Sequence, residues 1–135
     1  MAIFGKLGRY NNAGLFIMRV GLGVMMIIHG RPKVTGGPEK WHALGESMSH
    51  LHINFAYTFW GFMCAITEAV GGLFLILGLW FRVVALLLVF NFVVAAASHL
   101  AGGGNIKEAS HALELLFVFA GLVFLGPGIY SVDNN

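Results

Sequence analysis

A single cysteine, Cys64, stands in this 135-residue chain. It rules out an internal disulfide, a CxxC redox pair and a cysteine-based zinc site. Charge is equally scarce: Asp, Glu, Lys and Arg make up 10% of the residues, against about 25% in a soluble domain. The net charge of +2 is scattered along the chain, so no basic patch offers itself to nucleic acid. Proline occurs three times, which leaves long stretches free to be helical. No internal repeat and no low-complexity segment is present.

What fills the space is apolar. Hydrophobic residues are 58% of the chain and the mean hydropathy is +0.80. The solvent this composition suits is lipid, so the first partner is the bilayer. The length allows one membrane domain, residues 1–135. Lys6 and Arg9 precede the first apolar segment as they would in a signal peptide. Arg19 interrupts that segment and no small-residue cleavage site follows Gly30, so it reads as a retained first span.

The expected fold is all-α: a polytopic membrane protein, a four-transmembrane-helix up-down bundle with a short interfacial helix between spans one and two. The spans are expected at about 13–29, 55–81, 82–100 and 111–125, each near the ~20 residues needed to cross a ~30 Å core. Residues 1–12 form a polar lead and 129–135 a tail. Pro32, Gly36, Gly37 and Pro38 are expected to break helix in the long connection 30–54. Within it, 39–48 reads as a surface helix with Trp41, Leu44 and Met48 on one side. Spans two and three are joined by almost no loop, so they are antiparallel neighbours. Residues 101–110 form a Gly-rich turn.

Span three carries Asn91, a small-residue run 95–98 and His99. Spans one, two and four each carry a stripe that mixes small and polar residues, which should face protein rather than lipid. In span one it is Arg19, Gly23, Met26 and Gly30. In span two it is Gly61, Ala65, Glu68, Gly72 and Leu75. In span four it is His111, Glu114, Val118 and Gly121. A charge inside a membrane helix is costly and marks a functional site by default. Counting depth along the helices puts Arg19, Glu68 and Asn91 in one deep tier. A second tier, His29, His99, His111 and Glu114, lies towards the long connection, which carries Lys33, His42, His50 and His52.

Both structural and chemical roles are open to these groups. Arg19 and Glu68 could be an ion pair that fixes helix register or a proton relay. His111 and Glu114, three apart on one face, could bind a metal, pass protons or bond to Lys107. His29 and His99 could ligate a haem between helices or sit wetted among headgroups. Asn91 suits an interhelical hydrogen bond. His42, His50 and His52 suit solvent. The glycine pairs do not lie between a strand and a helix, so they are not a phosphate loop.

Several ordered segments resemble the DoxX family of small bacterial four-helix membrane proteins. They are LFIMRVGLGVMMIIHGRPKV, ITEAVGGLFLILGLWFRVVALLL, the His99 end of span three, and GPGIYSVD. The landmarks run from Arg19, His29-Gly30 and Lys33 through Glu68, Gly71-Gly72, Gly78, Arg82, His99 and Glu114 to Gly126-Pro127-Gly128, Ser131 and Asp133. Ile129 stands where the family often has Arg after the GPG, which weakens any headgroup or quinone role for a basic residue there. Relatives are linked to thiosulfate:quinone oxidoreduction, or act as membrane partners of oxidoreductases and superoxide-detoxifying enzymes. Thiol-redox relatives use a cysteine pair that this chain lacks.

The resemblance implies a membrane subunit associated with a redox enzyme complex, with a quinone or proton site between helices. In that site Glu68 and Glu114 would accept protons, Arg19 would balance the deep charge, and His99 or His111 would polarise a quinone carbonyl. A quinone is favoured as cofactor over haem or a metal ion, although no cofactor is fixed by the sequence. Expected partners are oxidoreductase subunits or further copies of the chain. Two other roles compete: a non-catalytic assembly or scaffold subunit, and a small transporter or channel formed by an oligomer. The resemblance also implies the bacterial cytoplasmic (inner) membrane with both termini in the cytoplasm. Lysine and arginine counts on the two sides are too even to orient the chain.

Overall fold

The computed structural model describes residues 3–133. Met1 and Ala2, at the start of the expected lead, and Asn134 and Asn135, at the end of the expected tail, lie outside the described residues. The described chain is helical, without a strand. A 3-10 segment, Gly5–Tyr10, leads directly into α1, Asn11–Thr35. There follow α2, Pro38–Gly45, a second 3-10 segment, Glu46–Leu51, then α3, Tyr57–Leu77, α4, Phe81–Ala101, and α5, Ile106–Leu125. α1, α3, α4 and α5 are each long and apolar enough to cross a membrane. α2 and the second 3-10 segment form the surface element between the first two crossings.

α3 stops at Leu77, four residues short of the expected 81, where Gly78 turns the chain with a φ of 68°; two further boundaries differ for identifiable reasons. α1 does not stop near His29 but continues through Pro32 to Thr35. Proline removes one N–H bond and crowds the turn before it, but the helix resumes, and the Thr35 hydroxyl donates to the carbonyls of Arg31 and Pro32. α5 begins five residues before the expected His111. Asn105 caps it, its side-chain oxygen accepting from Glu108 N at 3.0 Å, and Glu108 places an acid in the first turn.

The buried residues of α1 are Arg19, Gly23, Met26 and Gly30, the stripe read from its sequence. Those of α3 are Gly61, Ala65, Glu68, Gly71, Gly72 and Leu75, again that stripe with Gly71 added. α5 is turned from its expected orientation. Its buried residues are Ala109, Ala112, Phe119 and Leu122, whereas His111, Glu114 and Gly121 are exposed. The polar residues of α5 sit beside its packing face, not on it.

α1 packs on α3, α3 on α4 and α4 on α5, while α2 covers α3 and the 3-10 segment after it touches α4. The α1–α3 contact is backbone to backbone. A Cβ on Gly23 would stand 2.5 Å from Gly72 O, and one on Gly30 would stand 2.5 Å from Ala69 N. α2 approaches α3 as closely, with Gly61 against the Trp41 backbone and Gly45 against that of Tyr57. α1 and α5 make no comparable backbone approach among the described residues. Side chains fill the centre: Met26, Leu75, Leu88, Phe92, Phe119 and their neighbours, with Phe92 and Phe119 stacked at 5.8 Å.

Gly72→Leu is expected to destabilise the bundle by about 3 kcal/mol or to prevent folding, because the backbone on α1 has no room to yield. Gly21→Ala, on the open side of α1 with nothing within 4 Å, should be neutral or stabilising by up to about 1 kcal/mol. Unfolding in mild detergent measures both; equal stabilities would show that the α1–α3 contact is not tight.

Candidate functional site

The Gly30–Ala69 contact brings the last turns of α1 against the middle of α3. Lys33 lies one turn beyond Gly30, on the same side, and its ammonium meets Glu68. Nζ stands 3.0 Å from Oε1 and 2.9 Å from Oε2. The Glu68 side chain is only 7% exposed and that of Lys33 29%, so this pair sits largely out of water. Trp41 of α2 fastens the same turn, donating from Nε1 to Lys33 O at 2.9 Å and packing edge-on against Phe62.

The pair borders a cavity of about 220 Å³ between α1, α3, α4 and α5. His29, His99 and His111 line it together with Met26, Phe92, Ala95 and Ala112. The rings of His29 and His111 lie 5.9 Å apart, tilted to each other. All three histidines are exposed, so they stand at the mouth, near the helix ends on the side of α2. The space between them exists because α1 and α5 do not close on each other.

The expected partnership of Arg19 with Glu68 is not formed. Gly23 against Gly72 sets the register of the two helices, which puts Arg19 level with Ile76. Glu68 is eight residues further along α3, about 12 Å away along the axis. Arg19 is instead 1% exposed and holds three carbonyls: Pro127 O at 2.8 Å, Ile76 O at 3.0 Å and Tyr130 O at 2.7 Å. It ties the Gly126-Pro127-Gly128 turn to the end of α3. Nearby, Asp133 accepts from the N–H groups of Trp80 and Phe81 at 2.9 and 2.8 Å, capping α4. Asn12 accepts from Ile129 N at 3.1 Å, so both described ends of the chain meet on this side.

Of the residues expected in the site, Glu68, His99 and His111 therefore share one cavity. Arg19 lies at the opposite end and Glu114 faces outward. Asn91 donates to Cys64 O at 3.3 Å and joins α4 to α3. His42 pairs with Glu46 at 3.2 Å on the surface, and His50 and His52 are exposed. The sequence pattern puts Lys33 in the long connection and His29 in the histidine tier without a link to Glu68; the structure joins both to it. The signal for Lys33 was present: positions 19, 23, 26, 30 and 33 continue one helical stripe across Pro32.

The arrangement is a charge pair that cancels itself, opening onto three groups that can each donate and accept a proton. Among the described residues, no three His, Cys, Asp or Glu side chains converge closely enough to hold a metal ion. The cavity is smaller than the roughly 300–1,000 Å³ of a drug-sized ligand site and suits a single polar ring or a smaller molecule.

The DoxX family model matches residues 14–101 of the chain. The matched region holds His29, Lys33, Glu68 and His99; His111 and Glu114 lie beyond it. No curated protein and no solved structure matches the chain.

Arg19→Gln is expected to cost about 3 kcal/mol or more, since one amide cannot replace a charged donor shared among three carbonyls. Arg19→Lys keeps the charge without the planar fork and should recover only part of that loss. Detergent unfolding measures both, and wild-type stability in Arg19→Gln would show that the clasp carries no weight.

Proposed function

The chain belongs to the DoxX family, and from that premise we propose that it is the integral membrane subunit of a redox complex, with a proton and quinone site at the cavity beside Lys33 and Glu68. The observation that carries this proposal is the largely buried Lys33–Glu68 pair opening onto His29, His99 and His111. Ionisable side chains at this depth are costly, face protein or a water-filled cavity, and mark ion and proton routes.

The residues present fit a polar ring. Histidine N–H groups from α4 and α5 can donate to ring carbonyls, and Glu68 can take or return a proton while Lys33 offsets its charge. A quinone, when bound, supplies the electron acceptance. The chain's own groups hold the ring and move protons between Glu68 and the histidine mouth. The isoprenoid tail would lie outside so small a cavity. In this proposal Lys33, rather than Arg19, balances the charge of Glu68, and Arg19 and Glu114 take no part. The cytoplasmic membrane, cytoplasmic termini and an oxidoreductase partner complete it; the mouth then faces away from the cytoplasm.

A scaffold role is favoured by a different observation. Both Glu68 oxygens are already satisfied by Lys33, and Lys33 O is satisfied by Trp41, so the group also fastens α1, α2 and α3 together. Removing one partner of such a pair destabilises strongly, whereas removing both charges is often tolerated. Glu68→Gln alone should therefore lower stability whichever role holds. The doubly neutralised Lys33→Met, Glu68→Gln variant should fold and retain its partner subunit, with quinone-dependent turnover reduced at least about 100-fold. Wild-type turnover in that variant would assign the pair to structure alone. Co-purification from mild detergent tests the complex itself, with a stoichiometric oxidoreductase subunit as the expected result.

A further inference from the structure

A second cavity, of about 250 Å³, lies between α3 and α4 beneath the surface element. Leu44, Gly45 and Met48 roof it. Its walls run from Phe59 to Thr67 on α3 and from Leu87 to Val94 on α4. Neither Lys33, Glu68 nor any histidine lines it, so it is separate from the proton site. Phe59, Met63, Leu87 and Phe90 are 54%, 40%, 48% and 42% exposed, so the slot opens sideways, towards lipid.

Its dimensions match one leaflet. α3 has 21 residues, from Tyr57 to Leu77, and Thr67 is at its midpoint. The slot therefore starts near the membrane surface and reaches the midplane. Phe59 to Thr67 is about 12 Å of helix, against roughly 15 Å for half of a ~30 Å hydrocarbon core.

Its chemistry is graded along that length. At depth the polar groups are already used: Thr67 donates to Met63 O at 2.7 Å and Asn91 to Cys64 O at 3.3 Å. Near the surface, Trp60 is the fourth residue of α3, and its buried indole N–H has no acceptor among the described residues. A buried donor left unpaired costs free energy that an acceptor recovers. The interface, where Trp side chains favour headgroup contacts, is also the depth at which lipid ester carbonyls lie.

We propose that this slot binds one bilayer phospholipid, its acyl chain lying between α3 and α4 and its ester carbonyl accepting from Trp60 Nε1 once the indole, packed edge-on against Phe55 and Phe59, turns its N–H out to the lipid. The chain enters sideways from the leaflet and is roofed by Leu44 and Met48. A redox ligand suits the slot less well, because no ionisable nitrogen or carboxylate borders it.

The test is native mass spectrometry of the full chain, purified in mild detergent after exposure to dioleoyl phosphatidylcholine. Wild type is expected to retain one lipid. Val94→Trp fills the slot and should reduce retention at least ten-fold. Leu86→Trp, on an exposed position of α4 outside the slot, should leave it unchanged. Trp60→Phe keeps the ring and removes the donor, and should weaken retention about five-fold; it decides the matter if Val94→Trp fails to fold. No retained lipid, equal retention in wild type and both slot variants, or a prenyl quinone extracted in place of phospholipid would overturn the assignment.

Discussion

Gly23 of α1 rests on Gly72 of α3 with no side chain between them, and the register of every polar contact follows from that. Glycine at both positions lets the helices approach until backbone touches backbone. In lipid, where apolar side chains gain little by leaving the solvent, such close packing is the main attraction between helices. With 23 opposite 72, antiparallel geometry puts Arg19 beside Ile76 and the end of α1 beside Glu68. The two buried charges are thus assigned to different ends of the bundle before either finds a partner.

Each end then resolves its charge differently. Arg19 is fully enclosed and shares its donors among three carbonyls of α3 and the C-terminal turn. Three carbonyls hold its guanidinium in place, so the result is a fixed joint. Glu68 meets a lysine instead, and the pair lies against a cavity. An ammonium and a carboxylate together carry no net charge. Of the two charges, Glu68 is the one that borders a cavity. That is why burial of a charge, taken alone, did not distinguish the two residues.

Much of the fold was legible in the sequence because helical stripes carry it. Small residues around a charge marked the packed faces of α1 and α3 correctly, since close backbone approach needs those residue types. The same rule failed in α5. There the packed face is Ala109, Ala112, Phe119 and Leu122, an ordinary apolar stripe, and the polar residues flank it. The site was legible in part. Depth along the helices puts Glu68 in a different tier from His99 and His111, and only the site implied by the family resemblance joins them; Lys33 was hidden by Pro32, which reads as a helix stop although the surrounding helix continues. The partners of Arg19 could not be read at all, because a backbone carbonyl has no residue type to announce it.

The two ends of the bundle differ in a way that bears on access. On the terminal side, Arg19, Asp133, Asn12 and Arg82, which donates to Val123 O at 2.9 Å, join segments far apart in the chain. On the other side α1 is held to α3 and α2, and α4 to α5, but among the described residues α1 and α5 make no backbone approach, and the rings of His29 and His111 face each other across the gap. Local opening is least costly where few contacts must be broken. On the proposed function that seam is the entrance: it can widen without disturbing the glycine contact or the arginine clasp, and the cavity behind it borders the Lys33–Glu68 pair. A bundle closed equally at both ends would gain stability and, on that proposal, lose the route to its buried carboxylate.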